Sequence, residues 1–554
     1  MNNNKTPQPT HVKNAQENSS VIDRRQLLKA GALGSLLLAG SASRVYGASD
    51  EYPIATTRSG KIRGNSQQGI KVFRGIPYGG DTAKTRFAPA SPELPWEGVR
   101  DALDYGAAAP QRGNEEAMSE DCLFLNVWTP ALRDGKPRPI LFYIHGGGYD
   151  TGSGASGLYD GTNLCLRGDV VVITVNHRLN AFGYWYLAQL EERGLGSREF
   201  AASGNVGQLD LIQALQWVKQ HAAEFGGDAN NITLFGQSGG GAKIASLMAT
   251  PAAAGLFHRA FTMSGQQVTA AGPRAATQRA QLLLDTLKLS PGQLARLKTL
   301  PMEDIIAATQ HTKDPSRIEN NRLYFGPVLD NHVLHQHPFY PQAPAQSRHI
   351  PMVIGNTKDE TRAFLGGDPK NHNLTWQELP VRLEVSQYSD VNPQVVIDTY
   401  RQLYPQYTPS QVFFAATTAG RSWPGAIQEA EARARQGAPA YVYQFDWGSP
   451  LDDGKWGAFH SIDIAMVFDT IHHPQARTGH SPAAQKVADQ LSEALIAFAN
   501  TGNPSHKGIP RWKPYSLEKR ETLVINETSQ LVNDPRGGER KLYAQVPFVQ
   551  RGTF

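Results

Sequence analysis

The stretch Ile232-Thr-Leu-Phe-Gly-Gln-Ser-Gly-Gly240 joins a short apolar run to a serine flanked by glycines, and residues 240–250 then read as a helix. Strand, tight turn and helix in immediate succession give the Gly-x-Ser-x-Gly pattern a mechanical meaning. The turn forces the Ser238 backbone into a strained conformation, and side chains at the flanking positions would collide with neighbouring elements. The strain lifts the hydroxyl above the sheet edge at a helix N-terminus, where a developing negative charge meets free N–H groups. Ser238 is therefore the candidate nucleophile. The blander alternative is a glycine-rich turn without chemistry.

Working outward, the apolar run Pro139–Ile144 ends in His145-Gly-Gly-Gly-Tyr149. Three glycines let the backbone approach a substrate oxygen closely with its amides turned inward, as an oxyanion loop requires. A phosphate nest is the competing reading, but no Lys-Ser/Thr pair follows as a P-loop would need. His145 reads as a structural hydrogen-bonding group on that loop rather than as a catalytic base. Further short runs, Asp169–Asn176, Met352–Ile354 and Tyr441–Phe445, alternate with helical spacing at Leu211, Ile212, Leu215, Val218 and Ala222. Buried strands alternating with helices predict an α/β layered fold around a mostly parallel sheet. Residues 273–324 look mainly helical and suit a cap or side wall.

The chain has 554 residues, 40% apolar and 19% charged, which is the composition of a globular protein with a large core. Two cysteines exclude a disulfide scaffold, and no C-x-x-C pair suggests zinc or a redox centre. The formal charge of +4 is concentrated. Six of the 54 basic residues and two of the 50 acids fall within 1–47, leaving 48 of each sign beyond. A basic segment, Asp23-Arg-Arg-Gln-Leu-Leu-Lys29, precedes a short apolar run, Ala30–Ala42, and small residues around Gly47. That order is the signature of an export signal, and the twin arginine resembles bacterial Tat signals. Residues 1–47 are expected to be a cleaved leader and 48–554 the working domain, exported to the periplasm or the medium. The apolar run is shorter than the ~18 residues of a spanning helix, and no later segment is apolar enough to cross a membrane. A balanced mature chain without a basic stripe gives a nucleic-acid partner no support, and none is expected.

Taken together, these motifs resemble the type B carboxylesterase and cholinesterase family of the α/β-hydrolases. The resemblance runs from about Ile54 to the C-terminus. It includes Phe73-Arg-Gly-Ile-Pro-Tyr78, Ser119-Glu-Asp-Cys-Leu-Phe-Leu-Asn-Val-Trp128, Gly204-Asn-Val-Gly-Gln-Leu-Asp210, Phe225-Gly-Gly-Asp228 and Phe325-Gly-Pro-Val-Leu-Asp330. It implies an α/β-hydrolase fold, a central mostly parallel sheet flanked by helices with large helical insertions. It implies Glu360 as the triad acid, in Gly355-Asn-Thr-Lys-Asp-Glu-Thr361, and His460 as the triad histidine, in Gly457-Ala-Phe-His-Ser-Ile-Asp-Ile464. Spacing alone ranks neither above the other acids and the 16 histidines, and Asp359 is the nearest rival to Glu360. The resemblance further implies the amides of Gly147, Gly148 and Gly239 as oxyanion donors, structural roles for Arg74, Ser119 and Glu120, and no metal or organic cofactor.

The sequence also departs from the family. Cys122 stands where many relatives have half of a disulfide, but Ala107-Ala-Ala109 occupies the partner's place. Residues 111–119 contain no aromatic residue to cage a quaternary amine. Gln237 replaces a glutamate common before the nucleophile, which removes a negative charge beside the histidine. Asp463, one turn past His460, is either a compensating charge or a solvated helix residue. The expectation is a serine esterase acting on small, neutral, moderately hydrophobic esters through an acyl-enzyme. A carbamate, amide or polyester hydrolase on the same fold is the alternative. A non-catalytic adhesion or binding module is the alternative of another class, disfavoured because all three triad residues are present.

Overall fold

A computed structural model of the protein describes residues 51–113, 116–194, 198–315 and 322–550. The expected leader, 1–47, lies outside them. The centre is an 11-stranded sheet. Its strands are β1 (Asn65–Gln67), β2 (Ile70–Pro77), β3 (Phe124–Thr129), β4 (Arg138–Ile144), β5 (Val171–Val175) and β6 (Gly227–Gln237). They continue with β7 (Arg259–Met263), β8 (Met352–Thr357), β9 (Ala440–Phe445), β10 (Glu521–Ile525) and β11 (Gln530–Asn533). The spatial order is β11-β10-β9-β8-β7-β6-β4-β5-β3-β2-β1. All neighbours from β10 to β5 pair in parallel, while the two margins are antiparallel.

The inner strands read as unbroken apolar runs because both sheet faces are covered. Successive side chains go to opposite faces. Ile140, Phe142 and Ile144 join Leu234, Ile354 and Val442 in one core with Leu211, Leu215, Ile244 and Leu247. Those last four come from helices Val206–His221 and Gly239–Ala249. Leu141 and Tyr143 join Phe235, Phe261 and Val353 in the other, against Val487, Leu491, Leu495 and Phe498 of helix Pro482–Thr501.

The expected helix beginning near Leu209 starts earlier, at Val206, and tightens to a 3-10 turn over Ala222–Phe225 before the left-handed Gly226 stops it. The expected side wall forms as helices Pro273–Thr286 and Met302–His311. Their apolar faces, through Leu283, Leu284 and Ile305, build a separate core around Tyr149, Phe182 and Trp185. A second helical insertion, Leu379–Arg435, was not anticipated from periodicity and forms another wall. Among the described residues no helix is long and apolar enough to cross a membrane.

Several motifs that carry the family resemblance hold this frame together. Asp210 receives a bidentate bond from the buried Arg178 guanidinium, and Glu120 is paired with the equally buried Arg86. Asp330 accepts from three consecutive amides, His332 to Leu334, and from Asn205. Buried charges of this kind persist because each has a hydrogen-bonded partner. Cys122 and Cys165 are both buried free thiols.

Candidate active site

The site is assembled by sheet register. β4 lies between β5 and β6, so the chain reverses its direction of travel across the sheet there, the place where open α/β sheets leave a crevice. Ile144 pairs with Gly236, which sets the His145–Tyr149 loop directly beside the turn at Ser238. On the other side Gln237 pairs with Met263, and Met263 pairs with Gly355. The carboxyl ends of four neighbouring strands therefore meet in one row.

Ser238 adopts φ 55° and ψ −125°, a conformation that L-residues disfavour and that the surroundings must hold in place. Its N–H donates to the Met263 carbonyl at 2.7 Å, anchoring the turn to the next strand. The flanking glycines are required by contact distances. A Cβ on Gly239 would lie 2.0 Å from the Gly148 carbonyl oxygen, and one on Gly240 only 1.9 Å from that of Ile144. The Gly146–Gly148 loop and the helix start are thus packed backbone against backbone. Gly147 and Gly148 both have positive φ, 81° and 63°. Among the described residues neither of their amides donates to a backbone carbonyl.

Glu360 follows β8 by three residues and is fully buried. One carboxylate oxygen accepts from the Ser264 hydroxyl at 2.5 Å, the Thr357 N–H at 2.9 Å and the Asn356 amide at 3.3 Å. The other oxygen faces Nδ1 of His460. Burial pushes this carboxyl up, but the charge and hydrogen bond of His460, the Ser264 bond and the field of Arg421 outweigh it. The result is a pKa of about 2. Nδ1–H therefore points at Glu360 and leaves Nε2 as the acceptor. In this arrangement Nε2 accepts from the Gln237 side-chain amide at 3.2 Å.

Asp359, the rival acid, does a different job. Its backbone N–H donates to the Ala458 carbonyl at 2.9 Å and its carboxylate accepts from the Ala458 N–H at 3.0 Å. That two-way clamp ties the His460 loop to the Glu360 loop. The strain of the closure appears at Ser461, with φ 80°. Asp463 is not solvated. It is fully buried, accepts from the Tyr443 hydroxyl at 2.9 Å, and is raised to about 7 by burial and by the charge of Glu360. The solvated alternative is thereby corrected: Tyr443 of β9 crosses Gly355 and covers this carboxyl.

His145 is buried and stacked on His177 at 4.8 Å, with Nδ1 bonded to the Gly146 carbonyl at 3.0 Å. Burial and the nearby Lys243 lower its pKa to about 3. The ring is a neutral prop under the glycine loop. Ser264 was missed by sequence reasoning. The available signal was an apolar strand ending in Ser264-Gly265, and the serine takes positive φ, 51°, like Ser238.

Ser238 opens into a cavity of about 190 Å³ lined by Gly148, Tyr149, Gln267, Tyr324, Arg421 and Phe548 among others. A polar bottom continues behind it, where the Tyr149 hydroxyl donates to Gln267 Oε1 at 2.9 Å.

A profile of the carboxylesterase family matches residues 51–542. The chain is 34% identical to a para-nitrobenzyl esterase of Bacillus subtilis, over 88% of this chain and 98% of that one. It is 33% identical to a phenmedipham hydrolase of Pseudarthrobacter oxydans, over 86% and 95%. The crystal structure of a Geobacillus stearothermophilus carboxylesterase superposes with a TM-score of 0.77 at 36% identity, covering 88% of this chain and 99% of that one. Family profile, full-length relatives and α/β-hydrolase architecture agree: the chain belongs to the carboxylesterase family and is a carboxylic ester hydrolase.

Proposed function

We propose that the protein is an exported serine carboxylesterase whose triad is Ser238, His460 and Glu360. The observation that carries this reading is the Glu360–His460 pair held beside a strained, glycine-flanked Ser238. Nε2 of His460 takes the Ser238 proton as Oγ attacks the ester carbonyl carbon, the step that displaces Gln237 from Nε2. Glu360 holds the imidazole tautomer and stabilises the imidazolium. The amides of Gly147, Gly148 and Gly239 receive the oxyanion, each donor worth ~100- to 1,000-fold in rate. The imidazolium then protonates the departing alkoxide. Water, deprotonated by the same nitrogen, attacks the acyl-enzyme and releases the acid and Ser238.

The modest cavity suits a small ester. One solved relative is described as an esterase from Clostridium hathewayi that can hydrolyse aliphatic aromatic polyesters, and another relative is named a phenmedipham hydrolase. A series of matched esters, carbamates and amides ranks these bonds for this chain. Ser238→Ala is expected to abolish turnover of p-nitrophenyl esters and labelling by a fluorophosphonate while the protein stays folded. Turnover or labelling retained in that variant overturns the triad, and a folded wild type that neither labels nor turns over esters favours the binding module.

Residues 1–47 act as a Tat-type leader and 48–554 as the exported enzyme in this reading. Its support is the twin arginine at 24–25 ahead of a short apolar run. The exported fraction should begin near Ala48, and replacing both arginines by lysine should hold the protein in the cytoplasm. An exported chain still starting at Met1 would count against it.

A further inference from the structure

Among the described residues the cavity at Ser238 is lined by a single charged side chain, Arg421, whose field also favours the ionised form of Glu360. Arg421 ends helix Pro409–Arg421, at the break before helix Trp423–Arg435, and lines the same cavity as Ser238. Its guanidinium lies 4.0 Å from the ring centroid of Phe364 and 5.8 Å from that of Tyr388, stacking that fixes its direction without neutralising it. Phe364 in turn packs on the His460 ring at 4.9 Å. The cation is thus one aromatic ring away from the candidate base.

Its own hydrogen bond, to the Ser422 hydroxyl at 3.1 Å, is neutral, and among the described residues it has no carboxylate ion-pair partner. Among the described residues none of the others lining the cavity is an aspartate or glutamate. A position in the last helical turn offsets part of the charge through the helix dipole. That does not explain a guanidinium held over two rings at the wall of a substrate cavity. An arginine presents a rigid fork that matches a carboxylate, and its long-range field attracts anions into a cleft.

We propose that Arg421 is a specificity-determining residue, and that the preferred substrates are esters carrying a carboxylate remote from the scissile bond, such as half-esters of dicarboxylic acids. This rests on Ser238 being the nucleophile and names the substrate class for that site. It also revises the expectation of neutral substrates, which was built on the absence of an aromatic cage and on Gln237.

The test compares monoethyl adipate with ethyl hexanoate, two esters with six-carbon acyl chains ending in a carboxylate or a methyl group. The readout is the ratio of their kcat/KM values by pH-stat titration. In Arg421→Gln the ratio should fall about tenfold or more relative to wild type, the scale of a lost charge-assisted bond. Arg421→Glu should lower it further and raise turnover of ethyl 6-aminohexanoate. Arg421→Lys should keep part of the preference. In the wild type the ratio should shrink as NaCl rises from about 0.05 to about 0.5 M, a measurement that needs no variant to fold. Both esters meet the same Ser238, His460 and Glu360, so any effect of the variant on Glu360 cancels and the ratio reads binding of the remote group. A ratio indifferent to salt in the wild type and unchanged in the charge-reversed variant overturns the proposal. Ser238→Ala separates the two claims: turnover of both esters without Ser238 sinks the triad, whereas a flat ratio with a Ser238-dependent rate sinks the anion site alone.

Discussion

Glu360 and Glu429 are the same residue type, both fully buried, each bonded to a residue that lines the cavity at Ser238 (Ser264 and Gln267), yet their protons behave in opposite ways. Glu360 has three hydrogen-bond donors on one oxygen and an imidazole on the other, and lies at about 2. Glu429 has the Gln267 N–H at 2.8 Å on one oxygen and, among the described residues, no partner on the other, and burial raises it to about 8. Burial is common to both, so partners decide the charge. The lesson extends to Lys243, which is buried, has no acidic partner among the described residues, and falls to about 7. Around Ser238 the interior holds several ionisable side chains, and the carboxylate held most firmly as an anion is the one on which donors converge. That anion is the one facing His460.

The comparison is broken most severely by removing the anion. Glu360→Gln keeps the shape but offers an amide to Nδ1, and kcat should drop by ~10³–10⁴-fold, as when a triad acid loses its control of the tautomer. Steady-state kinetics on a p-nitrophenyl ester checks this; a fall of less than about tenfold would show that the carboxylate does not orient His460. A gentler change is Ser264→Ala, which deletes one of the three donors. One hydrogen bond to a charged group corresponds to about a tenfold loss in kcat, with KM nearly constant because Ser264 acts through Glu360. Ser264→Thr, which restores a hydroxyl, should recover part of the loss. A KM effect alone would assign Ser264 to the cavity wall instead.

The two halves of the site were unequally legible in the sequence. Ser238 and the Gly146–Gly148 loop could be read because each is contiguous with its strand, and the glycines needed for close approach stand next to the residue they serve. Glu360 and His460 could not be ranked from spacing. They meet through the register of β6, β7 and β8 and through the Asp359–Ala458 clamp, relations between segments that are separated in sequence, by a hundred residues for Glu360 and His460. The acid next door, Asp359, has the same local sequence credentials but points the other way. Asp463 shows the same limit: its place one turn past His460 is visible, but Tyr443 closes over it from another strand. Arg421 was invisible, because its helix is buried almost all round, from Val412 to Gly420, and only the fold turns that helix end toward Ser238.

The smallest effect concerns Glu429, and it is read in stability. A carboxyl raised to about 8 in the folded chain keeps a proton that the unfolded chain releases at an ordinary carboxylate pKa of about 4.3. Below that ordinary value both states are protonated and the group contributes no pH dependence. Between it and about 8 the folded state binds more protons, so stability falls as pH rises, and above about 8 the loss is complete. Glu429→Gln keeps the neutral shape and the oxygen that accepts from Gln267 but cannot ionise. Its apparent melting temperature relative to wild type should therefore improve from about pH 5 to about pH 8, by about 1–3 °C in a chain of this size. Asp463, raised to about 7, contributes the same sign over a narrower window, so the variant's curve should be flattened and not level. A difference between variant and wild type that stays constant across this range would mean that Glu429 is ionised in the folded chain, and the contrast with Glu360 would fail.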